Sequence, residues 1–425
     1  MSAETYHVPG DFPAIQACIE AVGDGDECLV APGTYFETID FMGKAIAVRS
    51  SDGAEVTTID AIGLESRVVN CVSGEGPGTV LDGFTITGGR VSECPDSTFR
   101  SCGGGMANID SSPTVTNCNF VGNAASDGGG MFNLNSSPTV TNCAFIHNGA
   151  FVGGGMVNYD SNPTVANCSF TANAGVLGGG MCNAPGTSPT ITNCMFAGNS
   201  GISGGGMCNY NNSATITNCT FTANRSRGGG AMFNDDNANP TITSCIIWGN
   251  GQPQIWGTDK VLGTLSFSNI QGGLPAGLFD GGGNIAIDPM FVRDPDDGGD
   301  GFGDDLDTPD VDESLNDDLG DLRLQAGGPC INAGDPAYVP APGETDLDGF
   351  PRILCGQVDM GAYEFGIGDY DCDQAVNLKD FAAMQTCFTG SIGVPFADGC
   401  EAFDYDANGL IDLTDLAGFA LVLSR

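Results

Sequence analysis

Positive charge is scarce in this chain: 13 Lys and Arg face 53 Asp and Glu, a formal net charge of −40 across 425 residues. That balance excludes nucleic acid as a partner, because neutralising phosphates takes clustered Lys and Arg. Histidine is rarer still. His7 and His147 lie far apart, and no Ser-His-Asp, zinc or phosphate-binding motif can be assembled from the rest. No apolar run approaches the ~20 residues that carry a helix across a bilayer, and Met1 leads into SAETYHVPG in place of a signal peptide. The expectation is a mature or trimmed protein, secreted or held at the cell surface. Acid is missing from the middle of the chain too. Between residues 103 and 250 the acidic residues are Asp110, Asp127, Asp160, Asp235 and Asp236.

What is present is a rhythm. From Gly103 to Asn250 the sequence repeats every 25 or 26 residues, most legibly in GGGMFNLNSSPTVTNCAFIHNGAF from Gly128. Met106, Met131, Met156, Met181, Met207 and Met232 mark the ranks. Cys118, Cys143, Cys168, Cys194, Cys219 and Cys245 keep the same step, and Phe120, Phe145, Phe170, Phe196, Phe221 and Ile247 follow two places behind. One period is therefore one structural unit. Each unit holds three short extended pieces, Met-x-Asn, Thr-Val-Thr and Cys-x-Phe, none long enough for a helix. Such a coil cannot cover its own apolar face, but coils stacked about 4.8 Å apart bury Val, Cys and Phe in columns. The pattern predicts an all-β parallel β-helix solenoid with ~25-residue coils, in which the ladder cysteines are reduced core residues. Asn columns at 108, 133, 158, 183, 209 and 234, at 117, 142, 167, 193 and 218, and at 123, 148, 173, 199, 224 and 250 are read as left-handed corners with amides bonded from rank to rank. These marks resemble the right-handed parallel β-helices of the pectin-lyase-like group, and the GG-Met…FxxN rhythm is similar to bacterial polymorphic outer-membrane repeats.

Ahead of the repeats, Asp11 and Pro13 open a short helix with Ile15, Cys18, Ile19 and Val22 on one face, read as an N-terminal cap. Cys18 can then staple it to Cys28, and Cys94 with Cys102 would close the loop VSECPDSTFRSC. After Cys245 the period loosens into the last coils, which end the β-helix region at 1–290. A second region, 291–365, opens with thirteen acidic residues between Asp294 and Asp321, either a solvated loop or a calcium wrap. It closes with LRLQAGGPCINAGDP and TDLDGFPRILCGQVDMGAYEF, which resemble the segment that ends many bacterial β-helix repeats. Cys330 and Cys355 are the expected pair there, and Cys387 with Cys400 in the tail; Cys182 and Cys208, one coil apart, are left open.

The tail, 366–425, carries the most specific motif. Asp404, Asp406, Asn408, Gly409, Asp412 and Asp415 stand at positions 1, 3, 5, 6, 9 and 12 of an EF-hand-type loop, and Asp369, Asp371, Asp373, Asn377 and Asp380 repeat it thirty-five residues earlier. Each loop feeds a short apolar helix, LKDFAAMQTCF and LTDLAGFALVL. Two such units in tandem resemble a type I dockerin. The resemblance implies Ca2+ as the cofactor and a cohesin-like or other cell-surface protein as partner. Gln374 stands where Gly eases the turn, and Leu378-Lys379 and Leu413-Thr414 replace the paired hydroxyls that dockerins commonly offer to cohesins, so the resemblance carries calcium binding further than cohesin binding.

For chemistry, Asp235, Asp236, Arg225 and Arg227 form the one local charge group in the repeats. Asp110, Asp160 and Asp236 share a column too long, roughly 14 Å from Asp160 to Asp236 at β spacing, for a single metal. The preferred reading is an extracellular β-helix that binds or displays against polysaccharide, anchored by a calcium-ordered tail. The rivals are a polysaccharide lyase or glycoside hydrolase acting on an acidic glycan, as pectate-lyase relatives do, and an ice-binding protein using the outward Thr pairs, which Ala166 interrupts.

Overall fold

The computed structural model describes residues 3–91, 103–235, 237–257, 263–297, 317–366 and, in the tail, 368–369, 372–374, 376–388, 400, 403–404, 410–412, 414–416 and 418. The Met, Val and Phe marks fall in register. Met106 through Met232 pair along one parallel sheet, Val115 through Ile242 along a second, and Phe120 through Ile247 along a third. Among the described residues these sheets hold 9, 12 and 10 strands. Their inward side chains make one continuous core. Phe rings stack there 4.7–4.8 Å apart with planes within 4° of parallel. All six ladder cysteines are free thiols in that core, and burial pushes the Cys118 thiol well above its ordinary range.

The Asn columns divide by role. The 117 column, at φ of 52–54°, makes the expected left-handed corner. The other two are corrections: their residues are fully or almost fully buried and have no positive φ. In the 108 column each Nδ2 donates to the next Oδ1 at 2.8–2.9 Å. In the 123 column the same links run at 2.8–3.2 Å. An inward amide survives because its neighbours above and below satisfy it.

A fourth sheet was not foreseen. Gly149–Val152, Ala174–Leu177, Ser200–Ser203 and Arg225–Gly228 pair in parallel. Val152 and Leu177 pack against Phe132, Val157, Cys182, Cys208 and Phe233, a second small core outside the first. The open pair closes here: Cys182 and Cys208 are in register on adjacent strands and disulfide-bonded, with Cα atoms 4.7 Å apart.

At the N-terminus, helix Ile15–Ala21 buries Ile15, Cys18 and Ile19 in the main core and is bonded through Cys18–Cys28. Both of its ends are satisfied by opposite charge. The Ile15 and Gln16 N–H groups donate to the Glu37 carboxylate at 2.9 Å, and Lys44 Nζ reaches the carbonyls of Ile19, Glu20 and Val22 at 2.7–2.9 Å. The expected Cys94–Cys102 bond lies outside the described residues.

Past the last coils, Phe291–Arg293 pairs antiparallel with Asp321–Leu324. Phe291, Leu322, Leu324, Cys330, Ile331 and Met360 pack with Ile246, Met195 and Trp248 on the outside of the Phe sheet. The expected Cys330–Cys355 pair is wrong. Cys330 is a free thiol locked in that apolar cluster, taking an N–H from Asn269 at 3.1 Å. Cys355 instead bonds Cys372, Cα to Cα 5.6 Å, tying the closing segment to the first loop of the tail. In the tail, Leu378–Cys387 is helical and Cys387–Cys400 is bonded as expected.

Candidate functional site

The closing segment is positioned by the left-handed Asn column. Asn167 donates to the Thr345 hydroxyl at 2.8 Å, and Asn193 donates to the Thr345 carbonyl at 2.9 Å and Glu344 at 3.1 Å. Lower down, Asn142 donates to Asn117 at 3.3 Å. Between the covered and uncovered ranks lies an open cleft of about 520 Å³. Its floor is the outward row Asn119, Ala144, Ser169 and Met195, from four successive strands of the Phe sheet, with Asn142 and Asn167 at its margin. Its wall is Thr345 to Gly349 with Tyr363.

Buried polar bonding holds that wall in shape. Asp346 Oδ1 accepts the N–H groups of Asp348 and Phe350 at 3.0 and 2.8 Å, and Oδ2 accepts that of Glu364 at 2.9 Å. Asp359 accepts from Asn332 and Phe365 at 2.6 Å each. Burial pushes both carboxyls up to about 6. Arg352 is wholly buried, its Nη2 2.9 Å from Glu364 Oε1 and bonded to the carbonyls of Asp359 and Gly361. Asp348, at the cleft's edge, is gripped by Arg323 through Nε at 2.6 Å and Nη2 at 3.3 Å. Asp346 and Asp359 are thus engaged with main chain, and Asp348 and Glu364 with arginines. That arrangement builds a rigid edge, and among the described residues no carboxylate pair is poised across the cleft for acid and base work. Sequence reasoning missed these residues. The signal was TDLDGFPR and DMGAYEF, read there as an ending and not as a wall.

The charge group expected from the sequence lies elsewhere. Arg225 and Arg227 are on the fourth sheet, half-buried and exposed respectively, and Asp235 ends strand Met232–Asp235; Asp236 lies outside the described residues. None of the described three lines the cleft. Asp110 and Asp160 occupy left-handed corners at φ 50° and 47°, with Asn135 between them.

In the tail, Asp369 accepts the N–H groups of Asp373 and Gln374 at 3.1 and 2.7 Å, and Gln374 takes the left-handed turn at φ 65°. Burial pushes the Asp369 carboxyl up, and nearby Asp380 and Asp373 push it the same way. Asn377 and Asp380 form a reciprocal cap on helix Leu378–Cys387. The second loop repeats it: the Asp412 N–H donates to Asp415 at 2.7 Å, and Asp412 accepts from Thr414 at 2.7 Å. Asp369, Asp380, Asp404 and Asp415 are buried. Hard oxygen donors crowded against like charge suit calcium, although among the described residues no three acidic, Cys or His side chains converge on one point. Asp371, Asp406 and Asn408 lie outside the described residues.

Residues 38–207 and 177–273 match the family model of a right handed beta helix region. No curated protein matches the chain. Similar solved structures include pectate lyase Pel9A, 17% identical over 86% of this chain and 97% of that one, with a TM-score of 0.41. Another is a mannuronic acid specific polysaccharide family 6 lyase from human gut microbiota, 12% identical over 66% and 82%, with a TM-score of 0.24.

Proposed function

The chain belongs to the right-handed β-helix family, and from that premise we propose that it is an extracellular polysaccharide-binding protein whose cleft receives a glycan chain. The observation that carries this reading is the cleft floor. Asn119, Ala144, Ser169 and Met195 come from consecutive coils, so the floor repeats every ~4.8 Å for roughly 14 Å. A surface that repeats along one axis suits a ligand that is itself a repeat. Amides, hydroxyls and a tyrosine at the margin supply the donors and acceptors that sugar hydroxyls need. The engaged state of the wall carboxylates favours binding over catalysis.

Glycan titration of the purified chain tests the proposal. Ser169→Tyr places a ring on the floor without touching the inward column, and glycan affinity is expected to fall at least tenfold with thermal melting unchanged. Binding that survives this substitution would place the glycan elsewhere.

The tail in this reading is a dockerin-like attachment module ordered by calcium and held by a cohesin-like or other cell-surface protein, and helix Ile15–Ala21 is the lid of the N-terminal coil. Its supports are the buried carboxylates and the repeated cap of the two loops. Calorimetric titration of the full chain with calcium is expected to show tail sites, with Asp404→Ala abolishing one of them. Calcium uptake indifferent to Asp404→Ala would remove the attachment reading.

A further inference from the structure

The cleft carries a charge pattern that selects among glycans, an inference that rests on the cleft being the glycan site. Among the described residues, no Lys or Arg lines it. The guanidinium at its edge, Arg323, is closed on Asp348 at 2.6 Å and reaches Asp321 at 3.2 Å, while Arg352 lies wholly buried against Glu364. The charged groups that line the cleft are the carboxylates of Asp346 and Asp348, and the chain as a whole stands at −40.

A uronate chain laid along this floor would bring its carboxylates towards Asp348, and among the described residues the cation at that edge, Arg323, is already closed on Asp348. Like charges at such range repel, and the field of the whole molecule adds to the repulsion at long range. A calcium bridge between ligand and wall would need a carboxylate free to chelate, yet Asp346 already accepts three N–H groups and Asp348 two from Arg323, which leaves lone pairs for single O–H donors only. Sugar hydroxyls meet the opposite situation. A carboxylate accepts from O–H groups in short, charge-assisted bonds, and the amides of Asn119 and Asn142 both donate and accept. We propose that the cleft selects neutral, hydroxyl-rich glycans and rejects uronates.

The experiment compares neutral oligosaccharides (mannan, xylan and cellulose fragments) with oligogalacturonate and oligomannuronate of equal length on the full chain. Each is titrated at low and high salt, with calcium and with chelator. At least one neutral series is expected to bind in a manner abolished by Ser169→Tyr. Uronates are expected to bind at least tenfold more weakly at low salt, and the gap should narrow as salt screens it. Asp348→Asn removes the edge carboxylate and frees one arm of Arg323, and should narrow the gap further. Uronate binding that equals or exceeds neutral binding and is lost in Ser169→Tyr would overturn the selectivity while keeping the cleft as the site. If no glycan of either kind responds to Ser169→Tyr, the glycan-site reading fails, and the inference with it.

Discussion

Phe170→Asp is expected to abolish cooperative folding of the β-helix. Phe170 is buried between Phe145 and Phe196, both stacked on it 4.7 Å away centroid to centroid with planes within 3° of parallel. Truncating a buried Phe typically costs about 3–5 kcal/mol, and a carboxylate with no partner adds a desolvation penalty of several more unless it takes up a proton. Because each coil is stabilised chiefly by its neighbours, the loss falls on two interfaces at once. The control is one residue away. Ser169→Asp faces the cleft and should leave the melting temperature within a few degrees. If Phe170→Asp melts like the parent protein, the inward column has been misassigned.

The second large effect belongs to Arg352→Met. This residue is fully buried; burial pushes the Glu364 carboxyl up to about 9 while Arg352 pulls it back, so losing Arg352 leaves Glu364 beside Asp346 and Asp359 without its guanidinium partner. Breaking one side of a buried ion pair usually costs about 3–5 kcal/mol, whereas replacing both sides by apolar groups is often close to neutral. Arg352→Met should therefore release residues 335–365 to protease while the β-helix still melts cooperatively. Arg352→Met/Glu364→Met should restore most of the protection. Equal protease resistance in Arg352→Met and parent would mean that the ion pair does not hold the wall.

The two variants divide along the line between what the sequence disclosed and what it hid. Periodicity exposed Phe170 because its role recurs in every rank, and six repetitions average out the noise of any one. The Thr-Val-Thr and Met-x-Asn strands were legible for the same reason. The fourth sheet was not: in AFV, GVL, GIS and SRG no position keeps one residue type through all four coils, since their outward places carry no common burden. Arg352 was invisible for a different reason. Its partners Glu364, Asp359 and Gly361 are local, but the cleft they define exists only once the segment lies back across Asn167 and Asn193, more than 150 residues earlier. That return is a long-range contact with no period. Cys330 shows the same blindness, since spacing suggested a bond where an apolar cluster had already claimed the thiol.

The seam between the Asn column and the closing segment also acts as a ruler. Asn167 and Asn193 hold the segment, and Asn117 and Asn142 are the ranks left beyond its edge. Inserting or deleting one whole period below Asn167 would leave every register pairing intact, because the ranks are interchangeable. It would change only how many ranks stay uncovered. The reach of the open groove is therefore an integer, altered by tandem duplication in steps of one coil, while the wall at its end stays the same.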